Sequence, residues 1–477
     1  MPSPTLTFWG AAGTVTGSRF LVETAASRVL VDAGLHQGPR ELRRLDREGI
    51  PLDATALDGV VLTHAHLDHC GYLPRLVRDG LDAPVLCTDG TAELAAIVLR
   101  DSAHLQEEDA AYAAESGYSL HATPLPLYDR ADAERTIPLL RPVPLHDPVP
   151  LTDDVTVVLR SAGHILGAST ALVEAAGARV LFSGDLGRPH HPLVPPREDP
   201  PAADVVVVES TYGDRRHPDP ATAPPGGVLA DAVRRTVARG GSVLVPAFAI
   251  DRTELVLLRL GELMAQGLVP TVPVFVDSPM ALAALDVYRR VLGRLDPGVL
   301  PPAWDAETFG VPDLRTVRSA AESQALNDPR RPCVVVSASG MATGGRVVHH
   351  LAHQLPDPRH CVVLTGYQAA GTRGRDLLEG ARQLKMHGRY VPVRAEVVHD
   401  PSFSVHADAD ELVAWLARCP EPPMTVFVVH GEPPASEALS ARVADELGWC
   451  AVVPRLGERV RLDRPDRPGA GGLSRPG

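Results

Sequence analysis

Twelve consecutive residues constrain this chain more than any others: Val60-Val61-Leu62-Thr63-His64-Ala65-His66-Leu67-Asp68-His69-Cys70-Gly71. The apolar run 59–62 reads as a short buried strand and 67–77 as a helix. The residues between them therefore lie where a strand gives way to a helix, a usual position for a site in α/β folds. His64 and His66 point the same way from an extended turn, and Asp68 and His69 open the helix on a neighbouring arc. Donors so closely spaced suit two adjacent metal ions better than one. Cys70 beside them reads as a small packing residue.

Other apolar runs end in the same kind of residue. The strand 28–31 leads into Asp32-Ala33-Gly34. An Asp there either orients a metal-bound histidine through its second ring nitrogen or merely shapes an Asx turn. The strand 155–159 leads to His164 and 180–182 to Asp185, each beside a glycine that permits close backbone approach. A carboxylate at 185 can bridge two ions that the histidines and Asp68 leave unsaturated. The strand 204–208 ends in Glu209, and His406 and His430 follow later apolar runs. The turn 10–17 reads as a tight hairpin near the site, and the proline-rich segment 124–150 as an irregular surface excursion. His104, His121, His146, His190 and His191 lack partners at ligand spacing and read as surface or packing residues, the last two facing solvent.

A chain of 477 residues is long enough for two domains. From about residue 228 the pattern becomes regular strand–helix alternation, after a Pro/Ala/Gly linker at 218–227. That predicts a parallel sheet with crossover helices, and domains at 1–210, 211–389 and 390–463 with a disordered tail at 464–477. Two strand-to-helix turns of this insert, 338–346 and 366–375, are glycine-rich and each carries arginine. They offer backbone N–H groups to phosphates, with Ser337, Gly340, Gly366, Thr372, Arg252, Arg346 and Arg373 as the candidate contacts. His349, His350 and His353 read as packing or surface residues.

The formal net charge of −13 excludes attraction to nucleic acid by the chain as a whole, so any such binding needs a local basic channel. Basic charge is almost all arginine, Lys385 being the one lysine. Six scattered cysteines with no CxxC pair read as reduced core residues, the N-terminus lacks the pattern of a signal peptide, and no apolar run reaches membrane-spanning length. The expected compartment is the cytoplasm, with no membrane partner.

Taken together the motifs resemble those of the metallo-β-lactamase-fold nucleases with an inserted β-CASP domain, in the family's order and from Asp32 to His430. The chain is most similar to bacterial RNA-processing members, relatives of the nuclease subunit of the eukaryotic pre-mRNA 3′-end cleavage complex. The resemblance implies an α/β fold, an αββα metallo-β-lactamase sandwich split by a parallel α/β insert, with substrate in the cleft between them. It implies two Zn2+, one on His64, His66, His164 and Asp185, the other on Asp68, His69, Asp185 and His430. Asp32 matches the first-motif aspartate, and Glu209, His406 and His430 match the three motifs peculiar to the β-CASP group. Histidine at 430, where DNA-repair members have valine, implies RNA. Val405 departs from the usual alanine. The chain ends without the long C-terminal extension of the RNase J branch, which argues against that branch.

The function implied is a zinc-dependent ribonuclease, endo- or 5′-exonucleolytic, that cuts single-stranded RNA with a metal-activated hydroxide and leaves 5′-phosphate and 3′-hydroxyl ends. Asp68, Glu209 and His406 are the catalytic candidates, His406 as general acid held charged by Glu209. Two other readings stand beside it: a small-molecule hydrolase of the same core fold, and an inactive RNA-binding scaffold. A homodimer is an assembly the sequence allows.

Overall fold

The structure, a computed structural model, describes residues 3–116, 124–218, 224–292, 307 and 309–462. One seven-stranded sheet runs Arg459–Arg461, Thr5–Phe8, Phe20–Glu23, Arg28–Val31, Gly59–Val61, Val85–Cys87, Leu140–Pro142. A second runs Ala451–Val452, Thr425–Val429, Val205–Glu209, Ala178–Phe182, Ser169–Ala175, Val155–Ser161, Val149–Pro150. Their inner faces meet in a layer that includes Leu6, Val29, Val61, Val157, Val180 and Val207. Phe8 packs on Phe427 at 5.0 Å between ring centroids, and Phe20 stacks on Phe182 at 5.8 Å. Each such ring contributes about 1.5–3 kcal/mol by leaving water.

Residues of the helices Leu73–Arg78, Asp89–Ser116, Ala409–Leu416 and Pro433–Leu447 pack against the sheets' outer faces. This is why 59–62 is apolar without alternation: Val60 and Leu62 face the helices while Val61 faces the other sheet. The architecture is the expected αββα sandwich.

The insert is a six-stranded, wholly parallel sheet in the order Leu314–Thr316, Val274–Val276, Val334–Ser337, Val243–Pro246, Cys361–Leu364, Glu396–His399. Its last strand corrects the expected return to the core at residue 390. Glu396–His399 pairs with Cys361–Leu364, so the insert's sheet extends to His399. The residues just before it, Arg389–Pro392, close a hairpin with Gln383–Met386.

Two local expectations also change, and one strand is new. The helix at 67–77 is two helices, Leu67–Cys70 and Leu73–Arg78. Pro74 has no N–H to continue the first, and the Tyr72 amide donates instead to Ala33 O at 2.7 Å. The excursion 124–150 contains the helix Arg130–Thr136, started by a reciprocal capping box between Asp129 and Asp132. Ser169–Ala175, to which the sequence reading assigns no element, is a strand joined to Ala178–Phe182 by the two-residue turn Ala176-Gly177, both with positive φ. His121, part of the 218–227 linker and the tail 464–477 lie outside the described residues.

Candidate metal centre

Strand register assembles the site. Arg28–Val31 and Gly59–Val61 run parallel with Val31 opposite Val61, so Asp32 and the Thr63-His64 turn emerge side by side. In the second sheet Phe182 lies opposite Val207 and Glu209 opposite Val429, which brings Asp185, Glu209 and His430 to the same edge. His164 comes from the connection between Val155–Ser161 and Ser169–Ala175. Gly34 is required at this edge, because a Cβ there would sit 1.6 Å from the Asp68 carbonyl oxygen.

Two groups of donors result, and these are two of the groups able to hold a metal ion. In the first, His66 Nδ1 lies 3.1 Å from His64 Nε2 and 3.2 Å from His164 Nε2. Asp185 Oδ2 is 3.4 Å from His64 Nε2 and 3.5 Å from His164 Nε2. Atoms bound tetrahedrally to zinc at about 2.0–2.1 Å stand about 3.3–3.4 Å apart, so this donor set fits the ion. In the second group His430 Nε2 is 3.2 Å from His69 Nε2 and 3.5 Å from Asp68 Oδ2. Asp185 Oδ1 lies 3.2 Å from His69 Nε2 yet makes no hydrogen bond. The two oxygens of one buried carboxylate thus face different groups.

Electrostatics differ among the donors. Burial, then the neighbouring His64, pushes His66 down to about 3, and burial also lowers His64 and His164. Those imidazoles are therefore neutral, the form that binds a cation. Burial opposes charge on His69 as well, but Asp185 and Asp32 outweigh it and raise that ring well above its ordinary value. A cation at His69 Nε2 requires that proton to leave. Asp68 and Asp185 are held low despite burial by the histidines around them.

Behind the donors stands Asp32, at φ +58° and 1% exposed. Its Oδ2 is 2.7 Å from His69 Nδ1 and accepts from Thr63 Oγ1 at 2.9 Å; Oδ1 accepts from the Thr63 amide. Having donated its proton, Thr63 Oγ1 can accept from His64 Nδ1 at 3.1 Å, which leaves His64 Nε2 with its lone pair toward the donor group. These contacts join Asp32 to His69 directly and to His64 through Thr63. Nothing in the sequence singles out Thr63, because a threonine beside a histidine carries no signal.

His406 Nδ1 lies 3.2 Å and 3.4 Å from the two oxygens of Glu209, which is wholly buried. Glu209 also accepts from the Leu186 amide at 2.6 Å and from Thr211 Oγ1 at 2.7 Å. Burial works against charge on His406, but Glu209 and then Asp185 raise it above its ordinary value. His217 Nε2 meets the His406 carbonyl at 2.9 Å, a contact the linker sequence did not disclose.

The insert reaches the centre through Phe248, whose ring is 6.0 Å from His66. Of the expected phosphate contacts, four are engaged within the insert. Ser337 Oγ donates to Asp277 O, Thr372 Oγ1 to Ala369 O, Arg346 to Asp277 Oδ1, and Arg373 to Ala342 O and Thr343 O. Gly340 gives Phe248 room, and Gly366 lets Arg252 approach, since a Cβ would lie 2.1 Å from its Nη1. Arg252 is 4% exposed, and its Nε and Nη1 have no partner among the described residues. His191 is not solvent-facing: its Nε2 lies 3.0 Å from Asp251 Oδ2 in the insert. Tyr288 joins this link, donating to Asp251 Oδ1 at 2.9 Å while accepting the amide of Leu166, two residues from His164.

Three family models match: a beta-lactamase superfamily domain over residues 27–246, a Beta-Casp domain over 253–377 and a Zn-dependent metallo-hydrolase RNA specificity domain over 390–454. Ribonuclease TTHA0252 of Thermus thermophilus is 35% identical over 95% of this chain and 98% of its own length. An RNase J-like protein of Methanocaldococcus jannaschii is 32% identical over 90% and 92%. A crystal structure of a protein of unknown function from Enterococcus faecalis V583 superposes with TM-score 0.52 at 15% identity, over 96% of this chain and 100% of that one, and shares the fold. With the two donor groups and the parallel insert on one scaffold, and relatives alike over nearly their whole length, the chain belongs to the β-CASP family of metallo-β-lactamase-fold nucleases.

Proposed function

We propose that the chain is a zinc-dependent ribonuclease that hydrolyses phosphodiester bonds of single-stranded RNA at a pair of zinc ions, leaving 5′-phosphate and 3′-hydroxyl ends. One observation carries the reading: Asp185 presents one oxygen to each donor group, and the Glu209–His406 pair stands beside it, His406 Nδ1 being 3.8 Å from Asp185 Oδ2. On this reading His64, His66, His164 and Asp185 hold one ion, and Asp68, His69, Asp185 and His430 the other. When bound, paired zinc ions supply Lewis acidity toward phosphoryl oxygens and a water whose pKa falls to about 7.

The protein's own groups do the rest. Asp32 fixes the orientation of His69 directly and of His64 through Thr63. Glu209 keeps a proton on His406, whose Nε2 has no partner among the described residues and serves as the acid for the departing 3′-oxygen. Phe248 stands beside the His66 ring, and Arg252, with no hydrogen-bond partner at Nε and Nη1 among the described residues, is the cation for a phosphate.

RNA labelled at its 5′ or 3′ end, digested with and without chelator and beside a chromogenic phosphodiester, tests this. Chelator-sensitive cleavage with 3′-hydroxyl products is expected. Turnover of the chromogenic substrate alone would mark a small-molecule hydrolase, and no turnover of either would mark a scaffold.

A further inference from the structure

The chain carries net charge −13, yet no Asp or Glu stands between Glu379 and Glu396, a stretch holding Arg382, Lys385, Arg389 and Arg394. All four side chains are exposed, and none has an ion-pair partner among the described residues. Elsewhere exposed arginines are commonly paired, as Arg235 is with Glu396 and Arg418 with Asp199. The stretch folds into the hairpin Gln383–Met386 and Arg389–Pro392. Leu384 and Met386 bury themselves in the insert's core, so alternation turns Gln383 and Lys385 outward. Lys385 lies opposite Tyr390, which at 67% is the most exposed of the large hydrophobic side chains among the described residues. His387 stacks on His349 of the neighbouring helix at 4.3 Å.

This face is tied to the metal centre by short steps. Arg373 Nε donates to Lys385 O, and its Nη1 to the carbonyls of Ala342 and Thr343 in the glycine-rich turn. Two residues on, Arg375 grips both oxygens of Glu432 at 2.8 Å, and Ala370 N donates to the same carboxylate. Glu432 is two residues from His430. An aromatic ring set among unneutralised cations, on a rigid hairpin, matches what a single strand of nucleic acid needs: cations for successive phosphates and a flat face for a base.

We propose that this hairpin face is a second RNA-binding surface, outside the cleft, that holds the single strand as it enters or leaves the metal centre. The proposal rests on the ribonuclease reading above and locates the basic surface that an acidic ribonuclease requires.

The experiment measures KM for a short RNA of about 4 nucleotides and one of about 20, at several salt concentrations, in wild type, Tyr390→Ala and the double variant Lys385→Ala/Arg389→Ala. In wild type the long RNA should bind more tightly. In the double variant the log–log salt slope for the long RNA should flatten by about 1.4, from about 0.7 per lost phosphate contact. Tyr390→Ala should weaken the long RNA about fivefold or more. All three side chains are solvent-facing, and unchanged unfolding curves would verify the fold. Variants that keep the wild-type gap between long and short RNA would overturn this proposal alone and assign the face to a protein partner. A wild type that cleaves neither RNA would overturn the ribonuclease reading, and this one with it.

Discussion

Replacing Glu209 by glutamine removes one charge and almost no volume. The glutamine carbonyl can still accept the Leu186 amide that Glu209 takes at 2.6 Å, and its amide group can face Thr211 Oγ1, so the strand end survives. What is lost is the anion 3.2 Å from His406 Nδ1. Two unit charges at that separation interact by about 1.3 kcal/mol at a dielectric of 80 and about 5 kcal/mol at 20. At about 1.4 kcal/mol per pH unit this is one to several units, and comparable pairs shift by about 1–3. Glu209 raises the His406 pKa, so the substitution lowers it. An acid works only below its pKa; the alkaline limb of kcat against pH must therefore move to lower pH by about 1–3 units, with the limb's shape kept. The assay is initial rate on labelled single-stranded RNA at saturating substrate, from about pH 5 to 9, with zinc content measured in the same preparations. An alkaline limb at the wild-type position, in a variant that retains its metal, would refute the assignment of His406 as a proton donor sustained by Glu209.

Asp185→Asn should reduce bound zinc by at least one equivalent per chain, because one oxygen can no longer serve the second group; full zinc content by metal analysis would contradict the sharing. Tyr288→Phe should cost about 1–2 kcal/mol in denaturant unfolding, since Asp251 loses a bond and the Leu166 amide is left unpaired. It should also hasten zinc loss to a chelator, as that amide lies in the His164 loop. Arg252→Met should stabilise the protein, by about 1 kcal/mol or more, while raising KM for RNA, because a buried cation with no ion-pair partner among the described residues is removed. A urea midpoint that falls would show the guanidinium to be a structural prop.

The two donor groups were legible in the sequence because each donor follows an apolar strand, and β-branched runs such as Val205–Glu209 have few other conformations open to them. The insert's alternation was legible for the same reason, as the helix Arg252–Ala265 after the strand Val243–Pro246 illustrates. Three features were not legible. Glu396–His399 is apolar enough for either sheet, and only its pairing partner decides. Ser169–Ala175 has small residues that read equally as loop; the Ala176-Gly177 turn was the available signal. His191, Asp251 and Tyr288 are ordinary residues far apart in sequence, joined only because the insert packs on the His164 loop. Nor does the sequence show that Arg346, one of the phosphate candidates, is drawn into the insert, where it donates to Asp277, which is fully buried and also 2.7 Å from His350 Nε2.

The strand Thr425–Val429 lies between Val205–Glu209 and Ala451–Val452, and its end delivers His430. His69 and His430 face each other across 361 residues of sequence, and Ser210 bonds to Val429 across 219. For a polypeptide still on the ribosome this order has a consequence. His64, His66, His164 and Asp185 are all synthesised before the insert, but the donor group of Asp68, His69 and His430 cannot close until the whole insert has been made and Thr425–Val429 has paired with Val205–Glu209, a late and entropically costly event. A copy that stops within the insert thus lacks the second donor group, however well its early portion has folded.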